Sequence, residues 1–381
     1  MHPFASQRVG VIRRLPEGYD AFIPHPLFPD GPKLDFDTEL MLLQSEADRA
    51  LGELKGITDL LPNPDLFIAF YVRKEALLSS QIEGTQCSLD DVLQADRDDS
   101  GIKPVSEVVN YINAMNYGIE QLLSLPLSIR LIHEIHRHLL KGVRGREKRP
   151  GEFKANQNWI GPPGSQFNEA TYIPPPPTLM PDLMGDFEKY YHVEKLLPPL
   201  MKAAILHAHF ETIHPYADGN GRLGRLLITF MLCEKGILDK PLLYLSLFFK
   251  EHRADYYDLL MKVRFEGRWE DWIKFFLRGV RNTSFEALRT AREILELQSK
   301  DRDRVEDVAH HKASFPCYDL ICEQPIISIS AASKKLGISY PSMKQTFDDF
   351  IRLKILSPYG QKKRNKLFSY ESYLEILRRG T

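Results

Sequence analysis

The sequence predicts a mainly α-helical protein with one β-hairpin near its middle and a separate C-terminal module. From residue 37 to about residue 300, apolar residues recur three and four positions apart, which is typical of helices with one buried face. Residues 151–177 break this pattern with short β-type runs around a Gly- and Pro-rich loop. A charged stretch at residues 299–312 precedes the module. We therefore expect three regions, residues 1–95, 96–300 and 306–381.

The composition is that of a folded protein. The 381 residues include 50 Lys and Arg against 51 Asp and Glu, with 43% hydrophobic and 27% charged residues. These values exclude global disorder and collagen-like chains, and the near-zero net charge argues against a protein that binds polyanions over its whole surface. The cysteines include no Cys-x-x-Cys pair, which excludes a zinc ribbon and a disulfide framework: Cys87, Cys233, Cys317 and Cys322.

No segment has the pattern of a signal peptide or a membrane span. The N-terminal residues lack the apolar core of a signal peptide. The longest apolar runs, such as Leu226–Cys233, are far shorter than the about 20 residues that cross a bilayer. We expect a cytoplasmic protein without a membrane partner.

The N-terminal region is predicted to begin as an extended arm and to continue as helices. The first 35 or so residues are rich in Pro, Gly and Phe and show no period. Asp37 then starts an apolar-periodic run with acidic residues in its first turn, Pro62 and Pro64 interrupt it, and Gly84 ends the next run. After the helix that starts at Asp37, the predicted helices lie near residues 66–84, 105–125 and 128–141.

Residues 151–177 are predicted to form a β-hairpin that leads into a polyproline stretch. They carry the only strand signal that we find in the first 300 residues. Helices resume at residues 179–191 and 197–212. The second of these has apolar residues on one face, which predicts burial: Leu197, Leu200, Ala204, Ile205 and Ala208.

Beyond residue 306, the order helix, short helix, Gly turn, helix and β-type tail is similar to a winged helix-turn-helix. Residues 306–381 hold twelve basic and eight acidic residues, a net charge of +4, which is modest for a protein that binds duplex DNA. The candidate recognition helix, Tyr340–Leu353, carries Lys344 and also Asp348 and Asp349, which repel phosphates. We favour a protein-interaction or homodimerisation module over DNA binding.

The most informative segment runs from His214 to Arg225. Two glycines around Asn220 let successive N–H groups turn towards one point, and the apolar pattern after them predicts a helix, so this anion nest lies at a helix N-terminus. Arg222 and Arg225 are three residues apart and can reach the same polyphosphate. Asp218 is a candidate ligand for a hard cation and His214 a candidate base. Together these residues predict nucleotidyl transfer.

Competing motifs fail on spacing or context. The run Gly219–Gly224 formally fits G-x-G-x-x-G, but a helical pattern precedes it where a dinucleotide site needs a strand. No P-loop sequence occurs, and His133–His136 lacks the H-E-x-x-H spacing of zinc proteases. His207 and His209 have no complementary ligand at a metal spacing, so we predict that they are packing residues.

Residues 214–225 resemble the signature of the Fic family, H-x-F-x-[D/E]-G-N-G-R-x-x-R, with Tyr216 in place of the usual Phe. Fic domains are helical and mostly transfer AMP from ATP to a Ser, Thr or Tyr hydroxyl of a target protein, releasing pyrophosphate. The resemblance implies that His214 takes the proton of that hydroxyl and that Asp218 holds Mg²⁺. It also implies that the nucleotide contacts the nest and the helix start: Gly219, Asn220, Gly221, Arg222, Leu223, Gly224 and Arg225.

A second segment, Ser79–Gly84, fits the inhibitory motif of the same family, [S/T]-x-x-x-E-[G/N]. Its place before the signature resembles the Fic class with an N-terminal inhibitory helix. In that class the glutamate, here Glu83, pairs with the second arginine, here Arg225, and displaces the γ-phosphate. The resemblance therefore implies self-inhibition by Ser79, Glu83 and Gly84, with Glu83 at the nucleotide site.

Two further features of the family map onto this chain. Residues 151–177 occupy the position of the flap, to which a target segment docks by β-pairing, and Lys154 stands there in place of an arginine. The adenine end is expected at the helix that begins near Lys250. Glu251, Tyr256 and Tyr257 are its candidate contacts.

We therefore predict a self-inhibited protein adenylyltransferase that uses ATP and Mg²⁺. Two alternatives stay open at this point. The same site could remove AMP from a target or transfer another phosphate-containing group. The chain could instead be a DNA-binding regulator that works through its winged-helix-like module.

Overall fold

Helices form most of the structure, as the apolar spacing predicts. The computed structural model describes residues 8–61, 63–89, 91–92, 103–162, 164, 166–193, 196–308, 312–360 and 366–379. The chain divides into two compact units, one formed by Met1–Leu51 and Tyr71–Ser284 and the other by Gly52–Phe70 and Phe285–Thr381. Pro62, which we expected to interrupt the first helix, lies outside the described residues.

The N-terminal arm contains a β-hairpin, so the expectation of an extended arm without regular structure was wrong. Strand β1 (Gly10–Arg14) pairs antiparallel with β2 (Asp20–Pro24). A tight turn joins them, in which Leu15 N–H donates to the Tyr19 carbonyl at 2.8 Å. The backbone N–H of Phe22 donates to the Ile173 carbonyl at 3.0 Å. This pairing places the hairpin against the segment that the sequence identified as the flap.

The predicted N-terminal helices are present, with ends within a few residues of the prediction: α1 (Thr38–Thr58), α2 (Pro64–Ile82), α3 (Lys103–Leu122) and α4 (Ile129–Leu139). Pro64 is the first residue of α2, where its missing N–H costs nothing. Ser128 caps α4, because its hydroxyl oxygen accepts the Leu131 N–H at 3.4 Å.

The core of the first unit lies around α6 and α7 in the next run of helices: α5 (Met180–Val193), α6 (Pro199–Ile213), α7 (Asn220–Glu234), α8 (Ser246–Glu251), α9 (Arg253–Glu266) and α10 (Trp269–Val308). Every residue of α6 from Leu200 to Ile213 is buried, and so is every residue of α7 from Arg222 to Leu232. Burial on all sides exceeds the single stripe that the sequence predicted for α6. The loop between these two helices carries residues 214–219.

Residues 151–177 form a loop with one β-bridge rather than the predicted hairpin. Ile160 and Tyr172 pair antiparallel, and each backbone N–H donates to the other's carbonyl, at 2.9 and 3.1 Å. No longer ladder occurs among the described residues of this segment, from which 163 and 165 are excluded. Prolines at 162, 163 and 174–177 explain the short pairing, because proline cannot donate to a ladder.

The charged stretch at residues 299–312, which we interpreted as a boundary before the C-terminal module, is helical as far as Val308. Its apolar residue Val305 is buried. The helix is also fixed by Asp301, whose carboxylate accepts the Tyr370 hydroxyl at 2.7 Å.

The C-terminal part of the second unit has the predicted order of elements: α11 (Ser314–Glu323), β3 (Ile326–Ser328), α12 (Ile329–Leu336), α13 (Tyr340–Arg352), β4 (Ser357–Tyr359), β5 (Leu367–Ser369) and α14 (Glu371–Arg378). The strands form an antiparallel sheet in the order β3-β5-β4. Residues 361–365 of the predicted wing lie outside the described residues. Asp349 is buried beside Arg352, so only Asp348 remains as an exposed acid on the face that we considered for DNA.

Within the described part of the chain, no helix is both long enough and apolar enough to cross a membrane.

The close approach of α3 and α7 at Gly118 yields a test of the core. A Cβ atom at Gly118 would lie 2.3 Å from Cζ of Phe230, a ring that is fully buried. We expect Gly118→Ala to lower the free energy of unfolding by about 1–3 kcal/mol, because overpacking forces the helices apart. Urea denaturation measures this change.

Gly185 on α5 provides the matched control, since a Cβ atom there would meet no atom within 4 Å. Gly185→Ala should raise the free energy of unfolding by about 0.5–1 kcal/mol, because alanine is the better helix former. Equal stability of Gly118→Ala and the unchanged protein would contradict this description of the α3–α7 contact.

Candidate active site

The loop between α6 and α7 begins with a residue in an unusual backbone conformation. His214 is the C-cap of α6 and has φ 50 and ψ 60, in the left-handed region. Few residues other than glycine adopt this region, because the Cβ atom is crowded there. Its N–H still donates to the Phe210 carbonyl at 2.9 Å. The chain therefore turns sharply at His214, where α6 ends.

Asn220 holds this loop closed. Its Oδ1 accepts the Tyr216 N–H at 2.9 Å, and its Nδ2 donates to the Tyr216 carbonyl at 2.7 Å. Asn220 is buried and is also the first residue of α7. The sequence placed Asn220 in an anion nest, and the structure adds that its side chain closes the loop.

The imidazole of His214 is neutral and partly exposed. Its side chain is 19% exposed, and its Nδ1 lies 3.9 Å from Oε2 of Glu211. Burial lowers the pKa of His214 to about 3, so the ring is neutral at neutral pH. A neutral ring can accept a proton, as a general base must.

Tyr216 anchors the loop against α4. It is fully buried, and its ring stacks on His136 with a centroid distance of 4.0 Å. Its hydroxyl lies 2.9 Å from Nδ1 of His133. His136 also contacts the loop directly, because its Nε2 lies 2.9 Å from the Asp218 carbonyl.

His133 and His136 are therefore site residues that the sequence analysis missed. We had considered them only as a failed zinc-protease motif. Nδ1 of His136 accepts the Gly151 N–H at 2.8 Å, which leaves Nε2 as the donor to the Asp218 carbonyl. Burial lowers the pKa of His136 to about 4, which keeps this neutral tautomer at neutral pH. The apolar period around these histidines was visible in the sequence, but their partner was not.

Arg225 is buried and is bound by Ser79 of α2 and by Glu83, which follows that helix directly. Its Nε donates to the Ser79 hydroxyl at 2.8 Å, and its Nη2 donates to the Ser79 carbonyl at 3.0 Å and to Oε1 of Glu83 at 2.7 Å. A Cβ atom at Gly221 would lie 2.2 Å from the same Glu83 oxygen, so this carboxylate needs glycine at 221. Gly84 follows with φ 89. The two motifs found in the sequence thus meet in one site.

Arg222 is equally buried but is not engaged in the same way. It is 1% exposed, and within the described part of the chain its Nε and Nη1 have no hydrogen-bond partner. Its nearest charges are Glu107, at 3.5 Å from Nη1, and Asp218, at 3.8 Å from Nη2. A buried guanidinium with unused donors is costly unless an anion supplies the acceptors. Arg222 therefore fits a phosphate ligand.

Asp218 lies at the mouth of the nest. Its side chain is 29% exposed, and its Oδ1 accepts the Gly219 N–H at 2.6 Å. Gly219 has φ 79 and precedes α7 directly. Among the described residues no cluster of three or more His, Cys, Asp or Glu side chains could hold a metal by itself. One exposed carboxylate matches the way Mg²⁺ binds, through one or two protein carboxylates together with substrate phosphates.

Leu223 and Gly224 lie behind the nest. The Leu223 side chain is fully buried, and its N–H donates to the Gly219 carbonyl at 3.0 Å. Gly224 faces Glu211, whose Oε1 would lie 2.6 Å from a Cβ atom at 224. Their contact with a nucleotide stays a prediction.

The adenine contacts that we predicted also stay predictions. Glu251 is exposed at the end of α8. Tyr256 is buried, and its hydroxyl lies at hydrogen-bond distance, 2.9 Å, from Nε2 of His207. Tyr257 is 36% exposed, and the Arg253 guanidinium lies over its ring at 5.1 Å. Of the three, Tyr257 has the most accessible ring.

Comparison with known proteins identifies two regions. Residues 41–120 match the Fic/DOC family N-terminal region, and residues 126–232 match the Fic/DOC family. The chain is 28% identical over 179 residues to a probable protein adenylyltransferase of Aquifex aeolicus, which covers 45% of this chain and 51% of that protein. It is 32% identical over 182 residues to the protein adenylyltransferase Fic of Culex quinquefasciatus, with 47% and 33% covered. The chain thus spans about half, or less, of the length of these curated relatives.

A solved structure supports the fold. A Fic family protein from Desulfovibrio desulfuricans G20 aligns with a TM-score of 0.57 and 19% identity, covering 89% of this chain and 97% of that one. At this identity the likeness shows the mainly helical fold alone. Both family regions occur in order, and the structure brings the inhibitory motif and the signature into one buried site. This chain belongs to the Fic/DOC family.

Proposed function

We propose that this protein is an adenylyltransferase that transfers AMP from ATP to a Ser, Thr or Tyr hydroxyl of a target protein and releases pyrophosphate. The observation that carries the proposal is the buried guanidinium of Arg222, with unused donors beside the Gly219–Gly221 nest and the neutral ring of His214. The names of the relatives from Aquifex aeolicus and Culex quinquefasciatus support it.

The residues divide the chemistry between them. His214 takes the proton of the target hydroxyl as its oxygen attacks the α-phosphorus, and the bond to pyrophosphate breaks on the opposite side. Arg222 and the nest N–H groups hold the polyphosphate and stabilise the charge that develops on it. Asp218 would hold Mg²⁺ together with phosphate oxygens, and the ion supplies further neutralisation of that charge.

We further propose that α2 inhibits the site. Arg225 already gives its donors to Ser79 and Glu83, so the γ-phosphate of ATP would have to displace a carboxylate from the same guanidinium. The Glu83 side chain is 30% exposed, which leaves room for it to move aside. ATP can still reach Arg222, but the triphosphate lacks its second arginine and is not aligned for in-line attack.

The docking edge for the target is proposed to be the segment 151–177. It adjoins the signature loop, because the Lys154 N–H donates to the Pro215 carbonyl at 2.9 Å. The Trp159 side chain is 40% exposed next to the Ile160–Tyr172 bridge, where an extended peptide could pair and pack.

The role of His214 can be tested by substitution. We expect His214→Ala to lower the rate of AMP transfer by about 10²–10⁴-fold, because general-base assistance is lost while the phosphate cradle remains. Transfer is followed with ATP labelled on the α-phosphate, and ATP affinity by calorimetry. His25→Ala, at an exposed site, is the control. A normal transfer rate in His214→Ala would remove His214 from the mechanism.

The proposed phosphate-binding role of Arg222 can be tested separately from the role of His214 as the base. Arg222→Ala should weaken Mg-ATP binding by about 10-fold or more, because charge-assisted hydrogen bonds contribute about 1.5–3 kcal/mol. Arg130→Ala is the control, since the Arg130 side chain is 87% exposed and pairs only with Glu134 in the described part of the chain. Unchanged affinity in Arg222→Ala would contradict the phosphate-binding assignment.

Inhibition by Glu83 predicts a gain of activity. Glu83→Gly should raise self-modification and labelling of lysate proteins by about 10-fold or more, because Arg225 loses its charged partner. Glu83→Gln, which keeps the shape but not the charge, should give a smaller rise. The double variant Glu83→Gly with Arg225→Ala should return to low activity. Labelling by Glu83→Gly at the wild-type rate would refute the inhibition.

A further inference from the structure

Lys154 is a buried lysine that the proposed mechanism does not use. It is 3% exposed, and its Nζ donates to Oδ1 of Asn158 at 2.7 Å. Burial lowers its pKa to about 7, and no carboxylate counters that effect. A buried ammonium whose described partner is an amide oxygen is expensive to maintain. Its place in the fold therefore calls for a reason other than stability.

Asn158 connects Lys154 to the loop at residues 214–219 through hydrogen bonds. Its Nδ2 donates to the Tyr216 carbonyl at 2.9 Å and lies 3.4 Å from the His214 carbonyl. Backbone carbonyls can only accept, so the loop must face Nδ2, and Oδ1 is left to accept a hydrogen bond from the Lys154 side chain. The orientation of the amide is thus decided by chemistry. Lys154 and the loop carbonyls therefore favour the same orientation, because a flip would turn Nδ2 towards Lys154 and Oδ1 towards the carbonyls.

Pro215, which lies between His214 and Tyr216, is bound by the same segment. The backbone N–H of Lys154 donates to the Pro215 carbonyl at 2.9 Å. The carbonyls of three consecutive residues, 214, 215 and 216, therefore all face donors from residues 154 and 158. Asn220 binds the loop from the other side, through Tyr216.

This arrangement bears on the left-handed backbone of His214. A residue other than glycine in that region costs on the order of 1–3 kcal/mol and persists only where the surroundings determine it fully. Asn220 fixes one end of the turn, but it does not touch the His214 or Pro215 carbonyls in the described contacts. The donors of Lys154 and Asn158 reach both of them.

We propose that Lys154 and Asn158 form a latch that keeps His214 in its left-handed, reaction-ready position, and that both are positioning residues for AMP transfer. The catalytic part of this inference rests on the proposed function. The latch belongs to the same segment that we propose as the docking edge for the target. Lys154 and Asn158 thereby connect His214 to the proposed docking edge.

Steady-state kinetics separates positioning from binding. Lys154→Met should lower kcat by about 10- to 100-fold, since a shift of about 1 Å in a catalytic group has effects of this size. The KM for ATP should stay within about two-fold, because the phosphate cradle is untouched. Lys154→Arg should restore most of kcat. Adding Asn158→Ala to Lys154→Met should cost little more than either change alone, as expected for one network.

Lys202→Met is the matched control. Lys202 is also buried in the first unit, and its Nζ donates to the Tyr191 carbonyl at 2.6 Å. It lies at the opposite end of α6 from His214. We expect its kcat to equal that of the unchanged protein. A wild-type kcat in Lys154→Met, or an equal loss in Lys202→Met, would overturn the positioning role.

Hydrogen exchange tests the latch without any assay of transfer. Amide exchange in residues 211–218 should be about 10-fold faster or more in Lys154→Met and unchanged in Lys202→Met, because the loop opens locally. Unchanged exchange in Lys154→Met would overturn the latch. Faster exchange in a protein that never transfers AMP, even with Glu83→Gly, would instead support the latch and refute the proposed function.

Discussion

His214 leaves α6 with a left-handed backbone, and the site depends on keeping it there. The cost of that conformation is offset from several directions. Asn220 closes the loop through Tyr216, the Tyr216 ring stacks on His136, and His136 lies at hydrogen-bond distance from the Asp218 carbonyl. Segments far apart in sequence thus converge on six residues, 214–219, and hold a neutral imidazole at the end of a buried helix.

The two signature arginines share burial but differ in their partners. Arg225 is satisfied by Ser79 and Glu83, whereas Arg222 keeps donors without described acceptors. In the proposed function, Arg222 is therefore the arginine that is ready to receive phosphate, and Arg225 is the one that is already occupied. Because Glu83 belongs to the same chain, its carboxylate is always present at high effective concentration, and under the proposed inhibition a nucleotide has to compete with it.

Local patterns predicted most of the helices, including the starts of α1 and α4, because caps, prolines and apolar spacing act over a few residues. They failed where a pattern was short or its partner was distant. The strands at 10–14 and 20–24 are only five residues each, in a segment rich in proline, and we did not predict them. The segment 151–177, where we predicted a hairpin, forms a single β-bridge. The charged run before residue 308, which we interpreted as a boundary, is part of a helix in which Val305 and Asp301 are buried.

The sequence by itself located the two motifs, residues 214–225 and Ser79–Gly84, because each motif is contiguous and its spacing can be recognised without the fold. It could not determine which distant atoms complete the site. The Ser79 carbonyl on Arg225, the ring of His136 under Tyr216 and the amide of Asn158 on the loop carbonyls are contacts across 146, 80 and 58 residues. Only tertiary packing decides such contacts, since a hydrogen bond or a stacked ring needs atoms within a few ångströms and sequence spacing sets no such distance over that length.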